Sequence, residues 1–147
     1  MRWLLDTGIL LRLLDRADPH HADIRRALRR LRLRGDTPVM SAQNIAEFWN
    51  VCTRPASARG GFGLAIAETE RRVRLFERRF PVLTEVPAAY TLWRQLVVAH
   101  RVQGVHVYDA RLVALMQGHG ITHIITLNAV DFARYPGIVA LYPSAVP

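Results

Sequence analysis

Residues 105–132 read VHVYDARLVALMQGHGITHIITLNAVDF. Within them, residues 110–117 are apolar on nearly every side (Ala110, Leu112, Val113, Ala114, Leu115, Met116), which predicts a helix buried all round. Asp109 is expected to stand directly before that helix, after a loop containing Gly104, and Gly118 and Gly120 to end it. Residues 121–127, ITHIITL, predict a short strand. They are rich in β-branched residues and apolar on both faces, as a parallel strand covered on two sides must be. Asn128 closes that strand and is placed to cap a new turn, with Asp131 three residues on. A buried helix and a buried strand thus each deliver a carboxylate at an element end. In open α/β sheets, ligands gather at the carboxyl ends of the strands.

Working outward, residues 2–5 predict a first strand, ended by Asp6, and residues 7–14 a helix that buries Ile9, Leu10, Leu13 and Leu14. Asp18 followed by Pro19 predicts the start of a second helix. It carries an apolar stripe of Ile24, Leu28 and Leu31 and ends at Gly35. Residues 38–40 predict a strand and Ser41 a helix cap. The helix it opens, 42–53, buries Ile45, Phe48 and Cys52, with Glu47 on another face. Residues 55–63, PASARGGFG, predict a loop. A helix over 64–80 (Ile66, Val73, Phe76 and Phe80 inside), a strand over 81–86 and a helix from Pro87 follow, and residues 138–142 predict the last strand. The order β-α-α-β-α-α-β-α-α-β-α-β defines an α/β fold with a mostly parallel sheet. The 147 residues suffice for a single domain with its own core.

Composition narrows the function classes. The lone cysteine, Cys52, excludes an internal disulfide and fits a buried thiol in a cytoplasmic protein. No apolar run approaches a membrane span. Asp6 and Asp15 interrupt the apolar N-terminus, which argues against an export signal. All 20 basic residues are Arg, and the net charge is +8. That excess fits a nucleic-acid or an acidic protein partner. Arg29, Arg30 and Arg32 stand in the densest run and are candidates for RNA contact.

Against this background, only 12 residues are acidic, and four sit in apolar surroundings where a lone carboxylate is costly. They are Asp6, Glu47, Asp109 and Asp131. Capping is a competing account of three: Asp6 and Asp109 as N-caps, and Asn128 with Asp131 as a capping box. Glu47 lies mid-helix with no opposite charge at i+3 or i+4. Brought together, four carboxylates repel and raise one another's pKa. Mg²⁺ or Mn²⁺, which prefer carboxylate oxygen, would relieve this and support hydrolysis of a phosphodiester. An aspartyl-nucleophile phosphatase is a poor match, because Gly8 stands where that chemistry usually has a second Asp.

Three blocks, LLDTGILLRLLD, NIAEFWNVCTR and YDARLVALMQGHGITHIITLNAVDF, resemble in order and spacing the motifs of PIN-domain ribonucleases. They are most similar to those of VapC-type toxins of toxin–antitoxin pairs. The resemblance implies a PIN-like three-layer α/β/α fold. It also implies an Mg²⁺- or Mn²⁺-dependent endoribonuclease acting on structured RNA and held in check by a cognate antitoxin. By motif, Asp6, Glu47 and Asp109 take the first three acidic positions, and Thr7 the hydroxyl position beside the first. Asp131 takes the fourth; many relatives carry Asp where this chain has Asn128, which could instead hold a water. A PIN nuclease of RNA processing without an antitoxin, and a non-catalytic RNA-binding domain, are the alternatives. The aromatic helices, with Phe48, Trp49, Tyr90 and Trp93, lead to the expectation of a homodimer.

Overall fold

The computed structural model describes residues 1–147. Its first strand, β1 (Arg2–Leu5), leads into α1 (Thr7–Leu14) and α2 (His21–Leu33). Strand β2 (Thr37–Ser41) is followed by α3 (Ala42–Thr53) and α4 (Ile66–Glu77), and β3 (Val82–Leu83) by α5 (Ala89–Ala99) and α6 (His106–Gly118). Strand β4 (His123–Ile125), α7 (Ala129–Phe132) and β5 (Val139–Leu141) complete the order anticipated from the sequence, before a 3-10 turn at Pro143–Ala145.

The five strands form one sheet in the order β3-β2-β1-β4-β5, and every pairing is parallel. Alternation along the strands splits the interior in two. Trp3, Leu5, Met40 and Ile125 face a core shared with α1, α2, α3 and α4. Leu4, Val39 and Ile124 face the opposite core, built with α5, α6 and α7. The result is three layers, helices–sheet–helices. Leu4 and Ile124 are fully buried, so truncating either to Ala is expected to cost about 2–5 kcal/mol. The chain runs outward from β1 to β3 and then returns to the other side of β1 at β4. The switch in strand order therefore falls between β1 and β4, where a crevice opens at their carboxyl ends.

Several boundaries differ from the expectation. Helix α2 begins at His21, because Asp18 caps the preceding turn instead, its Oδ1 accepting from the His20 N–H at 2.8 Å. Helix α4 is shorter than residues 64–80, and Ile66, expected inside, is 70% exposed because it opens the helix on the solvent side. Phe80 lies beyond the helix yet remains buried. Strands β3 and β4 are cut to two and three residues, since only those align with neighbours. Gly118 is the last residue of α6, not its stop. A Cβ there would lie 2.4 Å from Val86 Cγ2, so the helix can pack this closely only as glycine; Gly120, at φ +65°, turns the chain. Asp109 is inside the first turn of α6, whose N-cap is Val105, so it caps nothing. Phe48, Trp49 and Trp93 are absorbed by the two cores, which leaves Tyr90 as the exposed one of the four aromatics.

Candidate active site

Asp6 directly follows β1. Its backbone N–H donates to the Ile125 carbonyl at 3.0 Å, continuing the β1–β4 ladder one residue past the strand. The carboxylate caps α1, accepting from the Thr7 N–H at 2.7 Å, so the capping account of this residue holds alongside any other role. Its second oxygen accepts from the Thr126 hydroxyl at 2.6 Å. Burial drives the Asp6 pKa up from 3.8 to about 6. The two hydrogen bonds oppose that rise, and the Glu47 and Asp109 charges add to it.

Glu47, in the middle of α3, is held at both oxygens. Thr7 Oγ1 donates to Oε2 at 2.6 Å and Gln43 Nε2 to Oε1 at 2.7 Å. Asn44 Nδ2 donates to Thr7 Oγ1 at 3.1 Å, and Asn44 is itself tied into the Ser41 capping box. Gln43 Nε2 also donates to the Tyr108 carbonyl at 3.0 Å, joining α3 to the first turn of α6. Thus the expected hydroxyl, Thr7, is buried and bridges the first two acidic elements.

Asp109 and Asp131 complete the cluster. His106 Nδ1 stands 3.2 Å from Asp109 Oδ2 and 4.0 Å from Asp131 Oδ1. Burial raises the Asp109 pKa; the His106 contact lowers it, and the Asp131 and Glu47 charges raise it again. Asp131 makes no capping box, because Asn128 caps α7 with no side-chain hydrogen bond. The Asn128 side chain is exposed, while its N–H donates to Thr126 Oγ1. The four carboxylates expected to meet are therefore brought together at the switch point. His106, Thr126 and Gln43 were not anticipated. His106 was signalled only by its place three residues before Asp109, and Thr126 by nothing short of the strand register.

The donor set fits a divalent cation. One ligand atom each from His106, Asp109 and Asp131 lies within 4.8 Å of the others. No arginine pairs with Asp109 or Asp131; the side chain beside both is His106. Carboxylates that crowd one another at a solvent-open crevice, without cationic side chains to balance them, suit an ion bound through oxygen.

The candidate RNA-contacting arginines lie elsewhere. Arg29 and Arg32 line a cavity of about 840 Å³ with Arg16, Arg25, Arg79 and Thr37. Thr37 pairs with Arg2, at the amino ends of β2 and β1, so this groove sits at the end of the sheet opposite the carboxylates. Arg30 Nη1 instead donates to the Val146 carbonyl at 2.7 Å and holds the C-terminal segment. On α4, Arg71 and Arg72 pair with Glu68, and Arg74 pairs with Glu70.

The PIN-domain family model matches residues 3–138, and the chain belongs to that family. Among solved structures it is similar to VapBC-1 of nontypeable Haemophilus influenzae, with a TM-score of 0.72 and 19% identity over 98% of this chain and 99% of that one. It is also similar to the VapBC2 complex of Rickettsia felis bound to a promoter DNA fragment, with a TM-score of 0.70 and 14% identity over 97% and 98% of the two chains. A third is VapC20 of Mycobacterium tuberculosis, a toxin that cleaves the sarcin–ricin loop, with a TM-score of 0.62 and 19% identity over the full length of both chains. At such identities the likeness establishes a shared fold. No curated protein sequence matches this chain.

Proposed function

We propose that this protein is a divalent-cation-dependent endoribonuclease, the toxin of a toxin–antitoxin pair, acting on structured RNA. The observation that carries the reading is the convergence of Asp6, Glu47, Asp109 and Asp131 at the β1–β4 switch point. Burial is the main cause of the raised Asp6 pKa, and the nearby Glu47 and Asp109 charges add to it. PIN-family membership and full-length likeness to VapBC proteins support the toxin assignment.

In this reading Asp109 and Asp131, with Asp6 and Glu47 nearby, hold Mg²⁺ or Mn²⁺. Such an ion supplies a more acidic water and neutralises charge gathering on the phosphodiester. The protein's own contribution is rigidity. Thr7 and Thr126 pin Asp6, Thr7 and Gln43 pin Glu47, and the first turn of α6 carries Asp109. Fixed carboxylates spare the reaction the cost of reorganising them. The partners are RNA, a cognate antitoxin and a second copy of the chain. No helix is long and apolar enough to cross a membrane.

Two measurements test this reading. Purified protein should cut structured RNA only when Mg²⁺ or Mn²⁺ is supplied, and EDTA should stop it. Its expression should arrest growth, with relief by a small neighbouring open reading frame. Metal-independent cleavage would overturn the chemistry, and harmless expression of a cleaving enzyme would overturn the toxin role.

A further inference from the structure

We propose that His106 is itself a ligand of the cation. The centre is then a mixed imidazole–carboxylate site that favours a first-row transition ion such as Mn²⁺ over Mg²⁺. The inference rests on the reading of this cluster as a cation site and specifies which ion it takes.

His106 is the first residue of α6, and Asp109 lies one turn further on. At i and i+3 the two side chains share one face of the helix. Asp131 reaches the same point from α7. Donors each about 2.1 Å from a common ion stand about 3.0 Å apart at right angles and about 4.2 Å apart when opposed. The separations of His106 Nδ1 from Asp109 Oδ2, 3.2 Å, and from Asp131 Oδ1, 4.0 Å, both fall in that range. The only hydrogen-bond partner of the imidazole is the Asp109 carboxylate, so the ring is held toward the cluster and tied to nothing outside it. All three side chains are partly exposed, at 39%, 28% and 34%, which leaves an entry path for an ion.

The choice of ion follows from the donor types. Carboxylate oxygens suit Mg²⁺, Ca²⁺ and Mn²⁺ alike, whereas an imidazole nitrogen is a better ligand for a first-row transition ion, Mn²⁺ included, than for Mg²⁺. The competing role for His106 is charge balance, as an imidazolium beside two carboxylates. A charge-balancing imidazolium is displaced or spectated past when an ion binds, whereas a ligand becomes bonded to it.

Pulsed electron paramagnetic resonance of Mn²⁺ bound to the full-length metal-stripped protein separates the two. A ligating imidazole gives nitrogen modulation, which should vanish in His106→Gln. In Mn²⁺ and Mg²⁺ titrations, the same variant should lose about tenfold in Mn²⁺ affinity and less than about twofold in Mg²⁺ affinity. Bound Mn²⁺ without nitrogen modulation in the wild-type protein overturns the His106 assignment and leaves the carboxylate site standing. An unchanged Mn²⁺-to-Mg²⁺ affinity ratio in His106→Gln does the same. Failure of the wild-type protein to bind either ion overturns both. The wild-type spectrum needs no variant, so a poorly folding His106→Gln would not remove the test.

Discussion

The Thr7 hydroxyl donates a 2.6 Å hydrogen bond to Glu47 Oε2, fastening the first turn of α1 to the middle of α3. It also accepts from Asn44 Nδ2, and Thr7 is buried. Thr7→Val keeps the shape and removes both bonds, leaving Glu47 Oε2 and Asn44 Nδ2 partly desolvated without a partner. We expect a loss of about 1–3 kcal/mol in urea unfolding together with slower RNA cleavage. Thr7→Ser should recover most of both. Wild-type stability in Thr7→Val would show that the bond contributes nothing net.

Asp6 makes stability depend on pH in an unusual direction. Its folded pKa of about 6 lies above the unfolded value of 3.8, so between those values the folded protein keeps a proton that the unfolded chain has lost. The metal-free protein is therefore stabilised by this group below about pH 4 and loses that contribution as pH rises through about 6, by up to roughly 3 kcal/mol. Asp109, also raised by burial, acts in the same direction. Urea unfolding in EDTA from pH 4 to 7 should show the decline, and Asp6→Asn should flatten it. A wild-type stability that rises over this range would contradict the assignment.

Asp109→Asn keeps the size and removes the charge. RNA cleavage should fall to background while the far-ultraviolet circular dichroism is unchanged. The metal-free melting temperature should hold or rise, since one repelling carboxylate is gone. Cleavage at the wild-type rate would remove Asp109 from the active site.

The arginines of α2 divide by what they touch. Arg30→Ala should loosen the C-terminal segment it holds through Val146 and cost about 1–2 kcal/mol. The pair Arg29→Ala, Arg32→Ala should leave folding unchanged. Because their groove lies at the far end of the sheet, the pair should bind a short oligonucleotide normally. An RNA long enough to reach both ends should bind more weakly, with its log–log salt slope reduced by about 0.7 per lost contact. Filter binding with a cleavage-dead protein over a salt series measures this. An unchanged slope on the long RNA would assign the groove to a partner other than RNA.

The order of elements was legible from the sequence because periodicity records burial directly. Residues 112–116 are apolar without a break because that part of α6 is buried all round, while Arg111 and Gln117 reach solvent; β4 lacks alternation because both of its faces meet a core. The four acidic positions of the proposed site stand out in the sequence for a related reason: each has apolar neighbours along the chain, where a lone carboxylate is costly. Element ends were less legible. The start of α2 depended on whether Asp18 capped a helix or a turn, and Ile66 carried the right residue type on the wrong side of a helix end. What only the tertiary structure decided is which ends meet. The order β3-β2-β1-β4-β5 places Asp6 beside Thr126, 120 residues away, and α3 against α1, so that Thr7 reaches Glu47. It also carries Arg29 and Arg32 to the opposite end from the carboxylates, a separation that the charge pattern alone does not encode. Local sequence encodes how deeply each residue is buried; strand order, a long-range property, decides which buried residues become neighbours.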